Sequence, residues 1–251
     1  MVWVIAFGEL FFGDLWCVVW GYGGMRTHFS LLNPFFYSLR PSPFTSYCLF
    51  LVVLLFGVYW VVTPHSPRPQ DQRTVAEYLQ HIHQIPARPR VLGYSRDRFG
   101  DGWGMQVTEL GTCDTRHLLL VQAFGGSTGG CASTRGRDGA MEQGGVDPYT
   151  HRTMNRHNVD VDHIVPLAAA WDLGAYAWPD ARRREFANDT LRNLVLTASE
   201  VNREKSDSTL SEWLPLVNQC GYCARFVRVI GEYGLAMTVA DLQAARDACD
   251  L

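Results

Sequence analysis

The chain has no strong excess of charge of either sign: among its 251 residues, 22 Lys and Arg stand against 25 Asp and Glu, a formal net charge of -3. This mild acidity excludes a protein that holds nucleic acid by bulk positive charge alone, although it is compatible with a local basic site. Charged residues make up only 19% of the chain and hydrophobic residues 47%. Such a composition excludes an intrinsically disordered chain and is sufficient for a sizeable hydrophobic core.

The first 62 residues contain very little charge. Their charged residues are Glu9, Asp14, Arg26 and Arg40. Residues 44–62 carry no charge at all, and a run of about 20 apolar residues is long enough to cross a membrane. We therefore expect 44–62 to be an uncleaved membrane anchor, with a cleaved signal peptide or a buried core helix as alternatives. Residues 1–43 would be an apolar leader, unless the true start is Met25.

Residues 63–71 contain three prolines, which predicts a linker without regular structure. Residues 72–251 hold most of the charge and predict one soluble α+β domain, mostly helical, with a small β element in the middle. The segments 93–112 and 125–150 are rich in glycine and predict loops. The predicted helices cover 74–85, 114–122, 167–173, 180–187, 198–203, 220–233 and 239–248, and the predicted strands cover 158–165 and 194–196.

Five of the seven cysteines lie in this domain. In an extracytoplasmic domain, where disulfides form, we expect the pairs Cys113–Cys131 and Cys220–Cys249, which leaves Cys223 over. One alternative is a zinc site on Cys220 and Cys223, but the chain lacks the second pair of ligands that a structural zinc usually needs. The other alternative is a set of free structural thiols.

The segment that carries chemistry has the sequence Asp160-Val-Asp-His-Ile-Val-Pro-Leu, with Asn193-Leu-Val-Leu-Thr and Asn202-Arg-Glu-Lys-Ser-Asp downstream. Carboxylate and amide oxygens suit Mg²⁺. A neutral histidine beside such a metal can take a proton from water near neutral pH. A cationic side chain can offset the charge that grows on a phosphoryl group. Together these groups indicate hydrolysis of a phosphodiester bond.

This segment resembles the HNH, or ββα-metal, nuclease motif, and more narrowly the secreted or membrane-anchored bacterial HNH-family proteins. It is also similar to the HNH domain of RNA-guided CRISPR nucleases. The resemblance covers residues 94–249 and implies a mostly helical domain around a ββα-metal core at 158–207. Its further landmarks are the segments 94–100, 113–116, 147–150, 186–189 and 213–215.

The resemblance implies three roles in catalysis. His163 would be the general base that activates water. Asn193 would fix the loop after His163 and orient its ring. Lys205 would lie near the scissile phosphate. About 26 residues separate the two parts of the motif, which is longer than in compact HNH motifs.

The resemblance also implies a divalent metal, Mg²⁺ with Mn²⁺ as a substitute. Asp162 and Asn202 would hold the metal, and Asp160 would support the strand or the metal's waters. We expect Arg116 and Arg203 to contact the substrate, although a surface ion pair is an equal alternative for Arg116.

The sequence therefore predicts a metal-dependent endonuclease that cuts DNA without sequence specificity, since no separate DNA-binding module or basic tail is visible. Within the same class the alternative is an RNase or a nuclease that acts on both polymers. The alternative of another class is a cell-envelope binding module with the HNH fold and no turnover. We expect the domain to be extracytoplasmic, either anchored through 44–62 or secreted, and the sequence indicates no protein partner.

Overall fold

The computed structural model describes residues 47, 50–54, 66–109, 111–124, 131 and 145–251. The chain divides into two units, 1–63 and 64–251. The predicted leader lies outside the described residues, and so does most of the predicted anchor, of which residues 47 and 50–54 are helical. Among the described residues, no helix is both long enough and apolar enough to span a membrane.

The second unit is an α+β structure, as the sequence predicts. Its helices of more than one turn are α1 (Pro69–Tyr78), α2 (Thr115–Phe124), α3 (Leu167–Asp172), α4 (Asp180–Ala187), α5 (Ser199–Lys205), α6 (Gln219–Tyr233) and α7 (Val239–Asp247). Its strands are β1 (Gln84–Ile85), β2 (Met105–Thr108), β3 (Gly111–Asp114), β4 (Gly145–Val146), β5 (Thr153–Met154), β6 (Val159–His163), β7 (Leu194–Ala198) and β8 (Met237–Thr238). Short 3-10 helices cover Arg96–Phe99 and Ala175–Ala177.

Helix α6 forms the centre of the main hydrophobic core. Its Phe226 and Ile230 are fully buried, together with Val75 of α1 and Phe186 of α4. Helix α1 lies close against α6 at Gly231. The glycine permits this approach, since a Cβ atom there would overlap the ring of Tyr78. Helix α1 begins at Pro69, inside the segment predicted to be a linker, because proline is well tolerated in the first turn, where its missing N–H has no helical partner.

Strands β6 and β7 form an antiparallel pair whose register joins Val159 to Ala198 and His163 to Leu194. Helix α5 follows β7 directly. Successive side chains of a strand point to opposite faces, and the apolar ones of β6, Val159 and Val161, pack in a second cluster with Phe124 of α2. The other face of the pair, which carries Asp162, contacts Lys205 of α5.

The structure forms both predicted disulfides, Cys113–Cys131 and Cys220–Cys249. The alternative of a zinc site on Cys220 and Cys223 is therefore wrong, since the sulfur of Cys220 is bonded to Cys249. Cys223 is a buried free thiol, and burial raises its pKa to about 12.

The prediction of a loop over 93–112 is wrong for its second half. Residues 105–108 and 111–114 pair as the antiparallel strands β2 and β3. The apolar residues of β2 do not follow the usual rule for a half-buried strand, because Met105 and Val107 are exposed and Gln106 is half-buried. This hairpin therefore lacks the pattern by which a strand is recognised in a sequence.

Candidate functional site

His163 is the last residue of β6, and its side chain is 7% exposed. Its Nε2 lies 2.9 Å from the backbone oxygen of Ala187. A carbonyl oxygen only accepts, so Nε2 carries the proton and donates, and Nδ1 is the nitrogen with a free lone pair. Burial lowers the pKa of His163 from 6.5 to about 3, which keeps the ring neutral at physiological pH.

Asn193 fixes the chain on both sides of the ring without facing the cavity described below. It is completely buried. Its side-chain oxygen accepts from the backbone N–H of Val165 at 2.9 Å, and its side-chain nitrogen donates to the backbone oxygen of Phe186 at 3.3 Å. Its backbone oxygen accepts from the N–H of Ile164 at 2.7 Å. These bonds join the turn after His163 to helix α4, which provides the carbonyl group of Ala187.

A cavity of about 240 Å³ opens beside His163. Its remaining lining residues are Arg96, Asp97, Phe99, Gly100, Asp101, Gly102, Trp103, Leu167 and Ala187. The half-buried ring of Trp103 stacks on the His163 ring, with centroids 5.6 Å apart and planes at 10°. We call residues 96–103 the cavity wall, of which all but Arg98 line the cavity.

The cavity wall is held to the rest of the domain at three points. Phe99 is 1% exposed and belongs to the main core. Arg183 donates through Nε to the backbone oxygen of Arg98 at 3.0 Å. Directly after the wall, the N–H of Gly104 donates to the side-chain oxygen of Asn188 at 2.7 Å. The wall is therefore a packed part of the site.

Lys205 lies in the interior and not at the expected position near a phosphate. It is completely buried, and its Nζ donates to Asp162 Oδ1 and to the backbone oxygen of His163, each at 2.8 Å. The other carboxylate oxygen of Asp162 accepts from the hydroxyl of Tyr149 at 2.7 Å. Burial raises the pKa of Asp162, against the opposing effect of Lys205, and lowers the pKa of Lys205. Lys205 therefore stabilises the end of β6 from the protein interior.

The expected metal ligands differ in how well they fit a divalent cation. Asp162 is 4% exposed, and each of its oxygens already accepts one hydrogen bond, so it fits a cation less well than a half-buried residue does. Asp160 and Asn202 are half-buried, and their side-chain oxygens are of the type that binds Mg²⁺. This cation is commonly held by one or two protein oxygens together with waters and phosphate. Within the described residues, no group of three or more His, Cys, Asp or Glu is placed to hold a metal.

The two arginines expected at the substrate take different positions. Arg203 is exposed on α5. Arg116 is half-buried, and its Nη2 lies 3.4 Å from the backbone oxygen of Val159 while its Nη1 is buried without a partner. Arg116 therefore points toward the protein interior and not toward a phosphate at the surface.

Sequence reasoning missed Arg96 and Trp103 in the cavity wall. The landmark segment 94–100 contained Arg96, but nothing in its spacing relates it to His163. It also missed the role of the landmark 147–150. Asp147 is fully buried and accepts from the hydroxyl of Thr197 at 3.0 Å and from the N–H of Ala198 at 2.8 Å, which fixes the junction between β7 and α5.

Comparison with known proteins gives two matches. Residues 138–244 match the C-terminal domain family of GmrSD restriction endonucleases. An uncharacterized secreted protein of Arthroderma benhamiae is 32% identical over 191 residues, which cover 72% of this chain and 86% of the relative. No solved structure matches the chain.

Proposed function

The chain belongs to the same family as the Arthroderma secreted protein, and we propose that it is a metal-dependent endonuclease of the HNH type, which the match of residues 138–244 to the GmrSD endonuclease C-terminal domain supports. Its substrate is DNA, which it cuts without sequence specificity. The carrying observation is that His163 lines an open cavity and that its Nε2 is bonded to Ala187, which leaves Nδ1 as the nitrogen able to accept a proton. The order β6, β7, α5 is also the order of elements expected for a ββα-metal core.

The reaction begins when Nδ1 of His163 accepts a proton from a water molecule that attacks the phosphorus atom. Nε2–H keeps its hydrogen bond to Ala187, so the ring does not turn as it becomes charged. A pKa of about 3 makes the ring alone a weak base. A phosphate anion in the cavity raises this pKa, because negative charge stabilises the imidazolium that forms. The bond between phosphorus and the 3′ oxygen breaks, the leaving 3′ oxygen takes a proton from solvent, and the products carry a 3′ hydroxyl and a 5′ phosphate.

The proposal includes a divalent cation, Mg²⁺ or Mn²⁺. Asn202 would hold it, by the chemistry of its amide oxygen and its partial exposure, and Asp160 would support the strand or the metal's waters. When bound, such a cation supplies charge stabilisation for the phosphate.

The proposal also places the nuclease domain outside the cytoplasm. Two disulfides join four of the five cysteines of the second unit, and disulfides persist in oxidising compartments and are rare in the cytosol. The relative from Arthroderma carries the description of a secreted protein. Both observations support an exported domain.

The test is cleavage of a supercoiled plasmid by the full chain purified under oxidising conditions. Mg²⁺, Mn²⁺ and EDTA are compared, with an RNA of similar length assayed in parallel. His163→Ala is expected to abolish nicking, whereas the control His157→Ala, at an exposed histidine, keeps it. Nicking by His163→Ala at the parent rate contradicts the assignment of the base. Equal nicking in EDTA contradicts the metal, and cleavage of RNA alone contradicts the DNA substrate.

A further inference from the structure

The cavity wall lies outside the part of the chain that matches the endonuclease domain. The match covers 138–244, whereas the wall consists of residues 96–103. The wall nevertheless lines the same cavity as His163, and Trp103 stacks directly on its ring. A substrate phosphate next to His163 therefore also lies next to the wall.

Arg96 is the cationic side chain of this lining. It is exposed, and within the described residues it forms no ion pair and its guanidinium donates no hydrogen bond. Arg88 and Arg183, in contrast, are engaged: Arg88 binds the carboxylates of Asp172 and Asp207, and Arg183 donates to backbone oxygens. A guanidinium without a partner beside a cavity has its five donors free, and it suits the paired oxygens of a phosphate.

The lining also contains two carboxylates. Asp97 accepts a hydrogen bond from the hydroxyl of Ser95, and Asp101 is exposed. The cavity therefore does not attract anions through its total charge, and the position of an anion depends on Arg96 individually. Burial lowers the pKa of His163, and the positive charge of Arg96 lowers it further. An anion bound by Arg96 is thus within electrostatic reach of the proposed base.

We propose that Arg96 binds a backbone phosphate of the nucleic-acid substrate and positions the phosphodiester bond in front of His163. The inference rests on the proposed function, because it assumes that the cavity receives a nucleic-acid strand. Arg96 thereby takes the substrate-binding role that the sequence predicted for Arg116.

The experiment measures the binding of a fluorescein-labelled 12-base-pair DNA duplex to the full chain in EDTA, over a range of salt concentrations. Arg96→Gln and Arg96→Lys are compared with Arg98→Gln, an exposed arginine of the same 3-10 helix that does not line the cavity. Each phosphate contact contributes about 0.9 to the slope of log K against log salt. Arg96→Gln is expected to weaken binding about tenfold and to reduce this slope by about 1. Arg96→Lys keeps the slope, and Arg98→Gln leaves both quantities unchanged.

Equal effects of Arg96→Gln and Arg98→Gln would overturn the inference, since the loss would then reflect net charge alone. An unchanged affinity in Arg96→Gln would overturn it as well. The proposed function fails separately, through absence of plasmid cleavage by the parent chain, and the binding series does not depend on turnover. The length of the duplex is checked on a gel after each titration, so that cleavage is not mistaken for dissociation.

Discussion

Replacing Lys205 by methionine tests the buried ion pair behind the site. The change leaves Asp162 without the ammonium group that lies 2.8 Å from its Oδ1, and the two residues are 0% and 4% exposed. Breaking a buried pair by removing one partner costs about 3–5 kcal/mol, because the remaining charge is left unpaired in the interior. We therefore expect Lys205→Met to lower the free energy of unfolding by about that amount, measured by guanidinium denaturation of the oxidised protein.

Two variants separate this role from a phosphate contact. Arg203→Met, at an exposed cation on the same helix, is expected to change the free energy of unfolding by less than about 0.5 kcal/mol. The double variant Asp162→Asn/Lys205→Met removes both charges and is expected to recover part of the loss. If Lys205→Met unfolds at the same denaturant concentration as Arg203→Met but no longer cleaves DNA, the ammonium acts at the substrate and the burial argument is refuted.

Lys205 is also the single lysine of the chain, which gives an independent measurement. Reductive methylation of the native protein is expected to modify the N-terminal amine alone, because the ε-amine of Lys205 is completely buried. Methylation in denaturant adds the second modified site. Mass spectrometry distinguishes the two outcomes, and a fully methylated lysine in the native protein would contradict its burial.

Three further predictions concern the stability of the domain and the reactivity of its free thiol. The pKa of His163 is about 3 in the folded chain and near 6.5 when unfolded, so the unfolded state binds more protons between these values. Stability should therefore fall by about 1.4 kcal/mol per pH unit from pH 6 towards pH 4, a contribution that His163→Gln removes in the same denaturation assay. Burial raises the pKa of Cys223 to about 12, so iodoacetamide at pH 8 should alkylate it only after unfolding, and alkylation of native protein would contradict this. Arg88→Ala leaves the buried carboxylate of Asp172 without the guanidinium that lies 2.9 Å away, and it should lower the free energy of unfolding by about 3 kcal/mol. A change of less than about 0.5 kcal/mol, the usual value for a surface substitution, would contradict the pairing.

The elements around His163 were predictable because their signals are local. The predicted strand 158–165 contains β6, the predicted strand 194–196 lies within β7, and the predicted helix 198–203 overlaps α5. Apolar alternation around β-branched residues, ended by Pro166, is sufficient to define β6. The two disulfides followed from the compartment and from the small number of cysteines to be paired.

The cavity wall could not be predicted, because its position depends on contacts between distant parts of the chain. Gly104 reaches Asn188 across 84 residues, and Arg98 reaches Arg183 across 85. No periodicity within 93–112 encodes these contacts, and the glycines there indicate only a loop. The proposed binding residue Arg96 is recognisable only once packing has brought this segment beside His163.

The roles within the motif itself depend on strand geometry. Asp162 and His163 are adjacent in sequence, but adjacent residues of a strand project from opposite faces. His163 accordingly stacks on Trp103 of the cavity wall, whereas Asp162 meets Lys205 and Tyr149 on the face towards α5. Lys205 bonds both the Asp162 carboxylate and the backbone oxygen of His163, so the ion pair contacts the backbone of the proposed base and not its ring. Asp162→Asn should therefore disturb cleavage only to the extent that it loosens β6, and a loss of metal affinity without loss of stability would return Asp162 to the role of a metal ligand.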